Sequence, residues 1–254
     1  MSLALPVGPA PPSATAGPAP MERFDLAVGG DRLAGVLHRP LADRARCVIA
    51  CHGLGASKDS DKYLMLADAL VGAGLALARF DFRGSGESGG RLADATIATR
   101  LADLDAVIGW TAAHPGLRGQ VGLMGSSLGG FVALWGAARR RPGPGAVVTW
   151  NAPASLRDLG RLDLSGPAAP GPALVAEVRA GRFAEAPDGV AGVLVIQGEA
   201  DEVVPLDHGR RLHERAVDPR ALVLIAGADH RLSEPAHRRE AVRRSAEWLG
   251  RHLA

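Results

Sequence analysis

Gln120-Val121-Gly122-Leu123-Met124-Gly125-Ser126-Ser127-Leu128-Gly129-Gly130 is the stretch that decides the fold. It reads as a short buried strand, then Gly-x-Ser-x-Gly, then the start of a helix. A serine on so sharp a strand-to-helix turn adopts strained φ/ψ. Neighbours bearing a Cβ would clash there, which accounts for Gly125 and Gly129. The turn lifts the Ser127 hydroxyl to the carboxyl edge of the sheet, where the N-terminus of the next helix favours developing negative charge. Ser126 takes the variable position of the motif, so Ser127 is the candidate nucleophile. A bare Gly-x-Ser-x-Gly also occurs by chance as a tight turn; the strand before it and the helix after it give it chemical meaning.

The rhythm on either side agrees. Apolar runs at Cys47–Cys51, Leu75–Phe80, Gln120–Met124, Ala146–Thr149, Val193–Gln197 and Ala221–Ile225 suit parallel strands buried on both faces. Helical patterns at Asp61–Ala73, Thr96–His114, Leu128–Arg140, Asp207–Ala216 and Pro235–His252 alternate with them. Before the first run, Phe24–Val28 and Arg32–His38 flank Gly29-Gly30-Asp31, a hairpin signal. The fold class is therefore α/β: a mostly parallel, doubly wound sheet with an antiparallel N-terminal hairpin.

A serine hydroxyl needs a base to act at neutral pH. His230, in Gly227-Ala228-Asp229-His230, follows the last strand pattern and falls in a loop at the carboxyl edge. His208, His213, His237 and His252 lie on polar helix patterns, His114 ends a helix, and His38 lies in the hairpin. The base in turn needs an acid to hold its tautomer. Asp201, past the glycine turn of Gln197-Gly198-Glu199-Ala200-Asp201 and before Val203-Val204-Pro205, is preferred to Glu199, Glu202 and Asp207. Some hydrolases carry the acid after an earlier strand, but that position here holds Asn151, which cannot act as one. The order Ser127, Asp201, His230 is nucleophile, acid, base. The oxyanion requires backbone donors, assigned to the amides of Leu128 and of Leu54 in Cys51-His52-Gly53-Leu54-Gly55-Ala56-Ser57. His52 is expected to order that loop.

With these pieces in place the chain resembles the α/β-hydrolases of the capped esterase and serine-aminopeptidase-like group, which includes bacterial feruloyl and cinnamoyl esterases. The matching residues are His52–Gly55, Arg79–Ser88, Gly125–Gly130, Gly198–Asp201 through Pro205, and Asp229-His230, within roughly residues 22 to 253. The resemblance implies the α/β-hydrolase fold, an oxyanion hole at Leu54 and Leu128, and a structural role for the Asp81–Ser88 turn. The chain departs from the feruloyl esterases at about 152–189, a Pro/Ala-rich insertion read as a short cap. It contains no Tyr, and Phe183 is its only aromatic residue. Leu156, Leu159, Leu162 and Leu164 form one apolar group in or beside it, and Leu174, Val175 and Val178 another. Short to medium aliphatic acyl chains fit that cover better than aromatic ones.

Residues 1–20 read as a disordered Pro/Ala-rich tail before a single domain at 21–254, with Met21 an alternative start. With 254 residues the chain suits one large domain. Its net charge is +2, and Arg139–Arg141 is its only basic tract, placed where a helix ends; nucleic-acid binding gains no support. No stretch reaches the length of a membrane span, and no leader pattern is present. Cys47 and Cys51 share one strand, roughly 13 Å apart, beyond disulfide reach, so they read as buried apolar residues and the localisation as cytoplasmic. No metal or organic cofactor is expected, because nucleophile, base and donors all come from the chain. The expected partner is a small-molecule ester. Gly84-Ser85-Gly86-Glu87-Ser88-Gly89 matches a dinucleotide-binding Gly-x-Gly-x-x-Gly, but the acids downstream, Asp103 and Asp105, lie on a helix rather than at a strand end. The expectation is a serine hydrolase acting on carboxylic esters; a peptidase, lipase or thioesterase of the same fold and a non-catalytic relative are the other readings.

Overall fold

The computed structural model describes residues 20–42, 44–157 and 169–253. The N-terminal tail and Leu159, Leu162 and Leu164 lie outside them. Eight strands form one sheet in the order β1-β2-β4-β3-β5-β6-β7-β8. β1 (Met21–Val28) and β2 (Asp31–His38) pair antiparallel through Gly29-Gly30, which hold φ of 60° and 89° as a two-residue hairpin turn demands. β2 joins β4 (Ala76–Phe80) antiparallel. β3 (Cys47–Cys51), β4, β5 (Gly122–Ser126), β6 (Ala146–Trp150), β7 (Ala191–Gly198) and β8 (Val217–Ile225) are mutually parallel. All their carboxyl ends therefore open on one edge. β5 lies two residues later than the apolar run suggested, because Ser126 pairs with Trp150 and the strand continues to the foot of the turn.

Alternation along the strands divides the core in two. Ile49, Phe80, Leu123 and Val147 face α2 (Ile97–Ala113), α3 (Leu128–Ala138) and α5 (Leu206–Arg215). Val48, Leu77, Met124 and Val148 face α1 (Asp61–Gly72) and α6 (Pro235–Leu253). Each fully buried aliphatic side chain contributes about 1.5–3 kcal/mol. The helices begin and end for local reasons. Thr96 caps α2 through the Thr99 amide, and the Thr99 hydroxyl returns a bond to Thr96. Beyond α3, Arg139 and Arg140 pair with Asp105 on α2, so this basic tract is a helix end tied to its neighbour.

The connection from β6 to β7 leaves the carboxyl edge. Its two ends run antiparallel: Leu156 N donates to Ala184 O and Ala186 N to Ala154 O, both at 2.8 Å. Glu185 fastens this neck by accepting bonds from Ser155, Arg157, Arg211 and Arg215. A short helix, α4 (Pro172–Arg179), follows. Its Glu177 carboxylate accepts the Ile97 and Ala98 amides at 2.6 and 3.3 Å, placing an anion on the α2 N-terminus. Leu156 and Leu174 join the apolar cluster that also takes in Leu54 and Leu128. The described parts of the insertion are thus packed over the α2–α3 side of the edge.

Candidate active site

Ser127 stands between β5 and α3 with φ 54° and ψ −129°, a conformation uncommon for a residue with a side chain. Its surroundings impose it. A Cβ on Gly125 would lie 2.3 Å from Gly129 O, and one on Gly129 would lie 2.0 Å from Cys51 O. The turn can fold only with glycine at both places, and the second contact presses the elbow against the end of β3. Gly53 continues that packing: a Cβ there would meet Ser126 O and the Ser127 Cβ at 3.1 Å. The loop carrying Leu54 is therefore laid directly beside Ser127. Among the described residues, neither the Leu54 nor the Leu128 amide donates a hydrogen bond to another group; for Leu128 this is the normal state of a first-turn amide.

The three side chains named from sequence meet here. His230 Nε2 lies 3.1 Å from Ser127 Oγ, and His230 Nδ1 lies 2.9 and 3.0 Å from the two Asp201 carboxylate oxygens. The Asp201 side chain is fully buried. Its charge is matched by amides: Val203 N and Val204 N donate to Oδ1 at 2.9 and 2.7 Å, and Gln197 Nε2 donates to Oδ2 at 3.2 Å. The rivals are placed elsewhere. Glu199 is exposed, Asp207 opens α5, and Glu202 accepts the His230 amide at 3.3 Å while leaving the ring alone. Asp158 and Asp163 lie outside the described residues.

His52 is wholly buried. It accepts the Phe82 amide at Nε2, 3.0 Å, so the proton sits on Nδ1 and is donated to Gly53 O at 2.8 Å. Burial, helped by the nearby Arg100 charge, pushes its pKa down to about 3. It is a neutral strut for the Leu54 loop. The Asp81–Ser88 turn braces the same loop from outside. Asp81 accepts Lys58 N at 2.7 Å and Glu87 N at 2.9 Å, and Ser88 Oγ donates to Asp81 O at 2.6 Å. Asp59, Asp81 and Glu87 bring carboxylates together at metal-ligand spacing, but the Lys58 ammonium stands among them at 2.6, 3.3 and 2.8 Å. The chain supplies its own cation there, and the glycine-rich turn is tied to Asp81 through the Glu87 amide.

Two residues to which sequence reasoning gave no role are part of this edge. Asn151, at φ 49°, bridges three loops: its Nδ2 donates to Asp229 O and His230 O at 3.2 and 2.9 Å, and its Oδ1 accepts Gly198 N at 2.8 Å. A polar residue ending an apolar strand, of a type that tolerates left-handed φ, was the signal available. Lys62, the second residue of α1, donates from Nζ to Ser126 Oγ at 2.8 Å. Nothing in its spacing marked it, because a lysine in a first helical turn reads as solvated. His208, expected on a solvated face, accepts the Ala154 amide at 3.0 Å and so touches the neck of the insertion.

The profile of the X-Pro dipeptidyl-peptidase (S15) family matches residues 29–163, which include the Leu54 loop and Ser127. The chain belongs to that family. It is a hydrolase of the α/β-hydrolase fold. Among solved structures, Est1E from Butyrivibrio proteoclasticus with ferulic acid bound superposes at a TM-score of 0.80 with 21% identity, covering 91% of this chain and 99% of that one. Mouse alpha/beta hydrolase domain-containing protein 10 follows at 0.75, also 21% identical, over 92% and 100%. Both share the fold. A Mycobacterium tuberculosis (strain H37Rv) protein named as a phosphoribosyl transferase is 30% identical over 233 residues, 91% of this hydrolase and 46% of that protein. A second protein of that strain, uncharacterized, is 30% identical over 227 residues, 88% and 76%. The chain spans about half the length of the first of these relatives, so the transferase name describes a longer protein.

Proposed function

We propose that this hydrolase is a serine carboxylesterase working through an acyl-enzyme. The observation that carries the reading is the unbroken hydrogen-bonded line from Asp201 through His230 to Ser127. Ser127 Oγ attacks the ester carbonyl carbon while its proton passes to His230 Nε2. The tetrahedral oxyanion forms beside the Leu54 and Leu128 amides. As it collapses, the C–O bond to the alcohol breaks and His230 returns the proton to the leaving oxygen. Water then repeats the sequence on the acyl-serine, releasing the acid and restoring Ser127. Asp201 keeps the His230 proton on Nδ1 and stabilises the imidazolium. No step calls on a metal or an organic cofactor.

Aliphatic acyl groups of short to medium length suit the small side chains of the insertion. The buried thiols of Cys47 and Cys51 are consistent with a cytoplasmic protein. A second reading, release of amino-terminal dipeptides, is favoured by the family match. Against it, the charges beside the elbow are cationic, Lys62 with Arg231 and Arg238 close to it, which does not favour a bound ammonium. The test is kcat/KM for a butyrate ester, a ferulate ester and an X-Pro anilide. The ester reading expects butyrate first; a preference for the anilide installs the peptidase reading, and a preference for ferulate overturns the acyl-chain argument.

A further inference from the structure

Lys62 is a half-buried cation beside the nucleophile. Its Nζ donates to the hydroxyl of Ser126, the residue bonded to Ser127, and stands 5.6 Å from the Tyr63 ring centre. Among the described residues no carboxylate pairs with it. Asp61, its neighbour on α1, is turned to Arg238 of α6 at 3.7 Å. The other groups around it are Arg231 in the His230 loop, Arg238, the neutral His52, and Tyr63, whose hydroxyl donates to Cys51 O at 3.2 Å. An ammonium partly withdrawn from water and among like charges is costly unless something compensates it. A positive charge kept under such conditions favours an anion forming nearby.

We propose that Lys62 is a positioning and electrostatic residue for Ser127: its ammonium holds the elbow through Ser126 and favours the oxyanion of the tetrahedral intermediate. The proposal rests on the acyl-enzyme reading of the site. Ser126 itself is buried, so its hydroxyl is a tether and takes no part as a nucleophile. The charge is held on the hydroxyl of the residue next to Ser127 in the chain and is partly withdrawn from water, so it is less screened than a fully solvated lysine. Burial, with Arg238 and Arg231 adding to it, pushes the Lys62 pKa down to about 8. The charge is then lost just above neutral pH, where a lysine in water would keep it.

The experiment is the pH dependence of kcat and KM for a butyrate ester, followed by pH-stat from about pH 6 to 10, in wild type, Lys62→Met, Lys62→Arg and Ser127→Ala. Wild-type kcat is expected to fall on an alkaline limb near pH 8. Lys62→Met should lower the neutral-pH kcat about tenfold, change KM less than twofold and lack the limb. Lys62→Arg, whose charge persists to high pH, should move the limb beyond the range. A limb at the same pH in Lys62→Arg, or one retained in Lys62→Met, overturns the role of Lys62. Should Lys62→Met fail to fold, the arginine variant alone decides. Activity surviving in Ser127→Ala instead overturns the underlying reading of the site.

Discussion

The Asn151 side-chain amide donates to the His230 carbonyl at 2.9 Å, so the backbone of the candidate base is held by the end of β6 rather than by its own strand. The same side chain accepts the amide of Gly198 at the end of β7. One buried residue therefore sets the spacing between the loop that carries Asp201 and the loop that carries His230. Asn151→Ala should destabilise the fold by about 2–3 kcal/mol, because it strands buried backbone groups. It should also lower kcat about tenfold, with KM nearly constant. Denaturant unfolding and steady-state kinetics check both; an unchanged kcat would make the bridge a matter of stability alone.

Ser127→Ala should lower kcat by several orders of magnitude, in line with the loss of a triad member in serine hydrolases. A fluorophosphonate probe should label the wild type and leave the variant unlabelled. Labelling retained in the variant would place the nucleophile elsewhere.

Asp201→Asn should remove most activity while leaving the fold intact, since an asparagine keeps the bonds from Val203 N and Val204 N, gives up the one from Gln197 Nε2 and holds the wrong His230 tautomer. Glu202→Gln and Glu199→Gln should each change kcat by less than about tenfold. Glu202 touches only the His230 amide, and the pair of results separates backbone support from the role at the ring. Full activity in Asp201→Asn would dismiss it as the acid.

Gly129→Ala should abolish the folded enzyme or destabilise it by about 3 kcal/mol or more. Its Cβ would fall 2.0 Å from Cys51 O, a backbone atom in the centre of the sheet that cannot move aside. Soluble yield and thermal unfolding report the effect. A variant as stable as the wild type would mean that the elbow and β3 are not in contact.

His52 links stability to pH. Burial and the Arg100 charge hold its pKa at about 3, against 6.5 for an exposed imidazole. Between those values the unfolded chain binds one proton more than the folded chain. The contribution of neutral His52 is thus fully present above pH 6.5 and declines as pH falls toward 3, by about 1.4 kcal/mol per pH unit. His52→Gln, which keeps an acceptor for Phe82 N, should be less stable at neutral pH and should flatten this slope by about one proton. Unfolding free energies measured at several pH values decide it, and parallel curves for the two proteins would show that His52 does not titrate on unfolding.

Elements with a strong period were legible in advance. The hairpin about Gly29-Gly30, the run Cys47–Cys51 and the helix after Ser127 all lie where the pattern put them, because burial on one or both faces writes itself into the order of apolar residues. The start of β5 was placed two residues early, since its glycines carry no apolar signal. Ser127, Asp201 and His230 were each found by position relative to a strand end, and the structure brings the three together. The roles of Lys62, Asn151 and Lys58 were not found. Side-chain partners lie 64 residues away for Lys62, 79 for Asn151 and, at Asp81, 23 for Lys58, and a single polar side chain has no period to betray it.

The sequence by itself therefore determined the layers of this protein, the direction of its strands and the residues available at their carboxyl ends, since those follow from local conformational preference and from which side chains avoid water. Only the tertiary structure decided which of several acids faces the His230 ring, which atoms His52 braces, that an ammonium fills the Asp59–Asp81–Glu87 cluster, and that Asn151 joins two loops. Those outcomes depend on distances between segments far apart in the chain, and close packing sets such distances only when the whole sheet has formed.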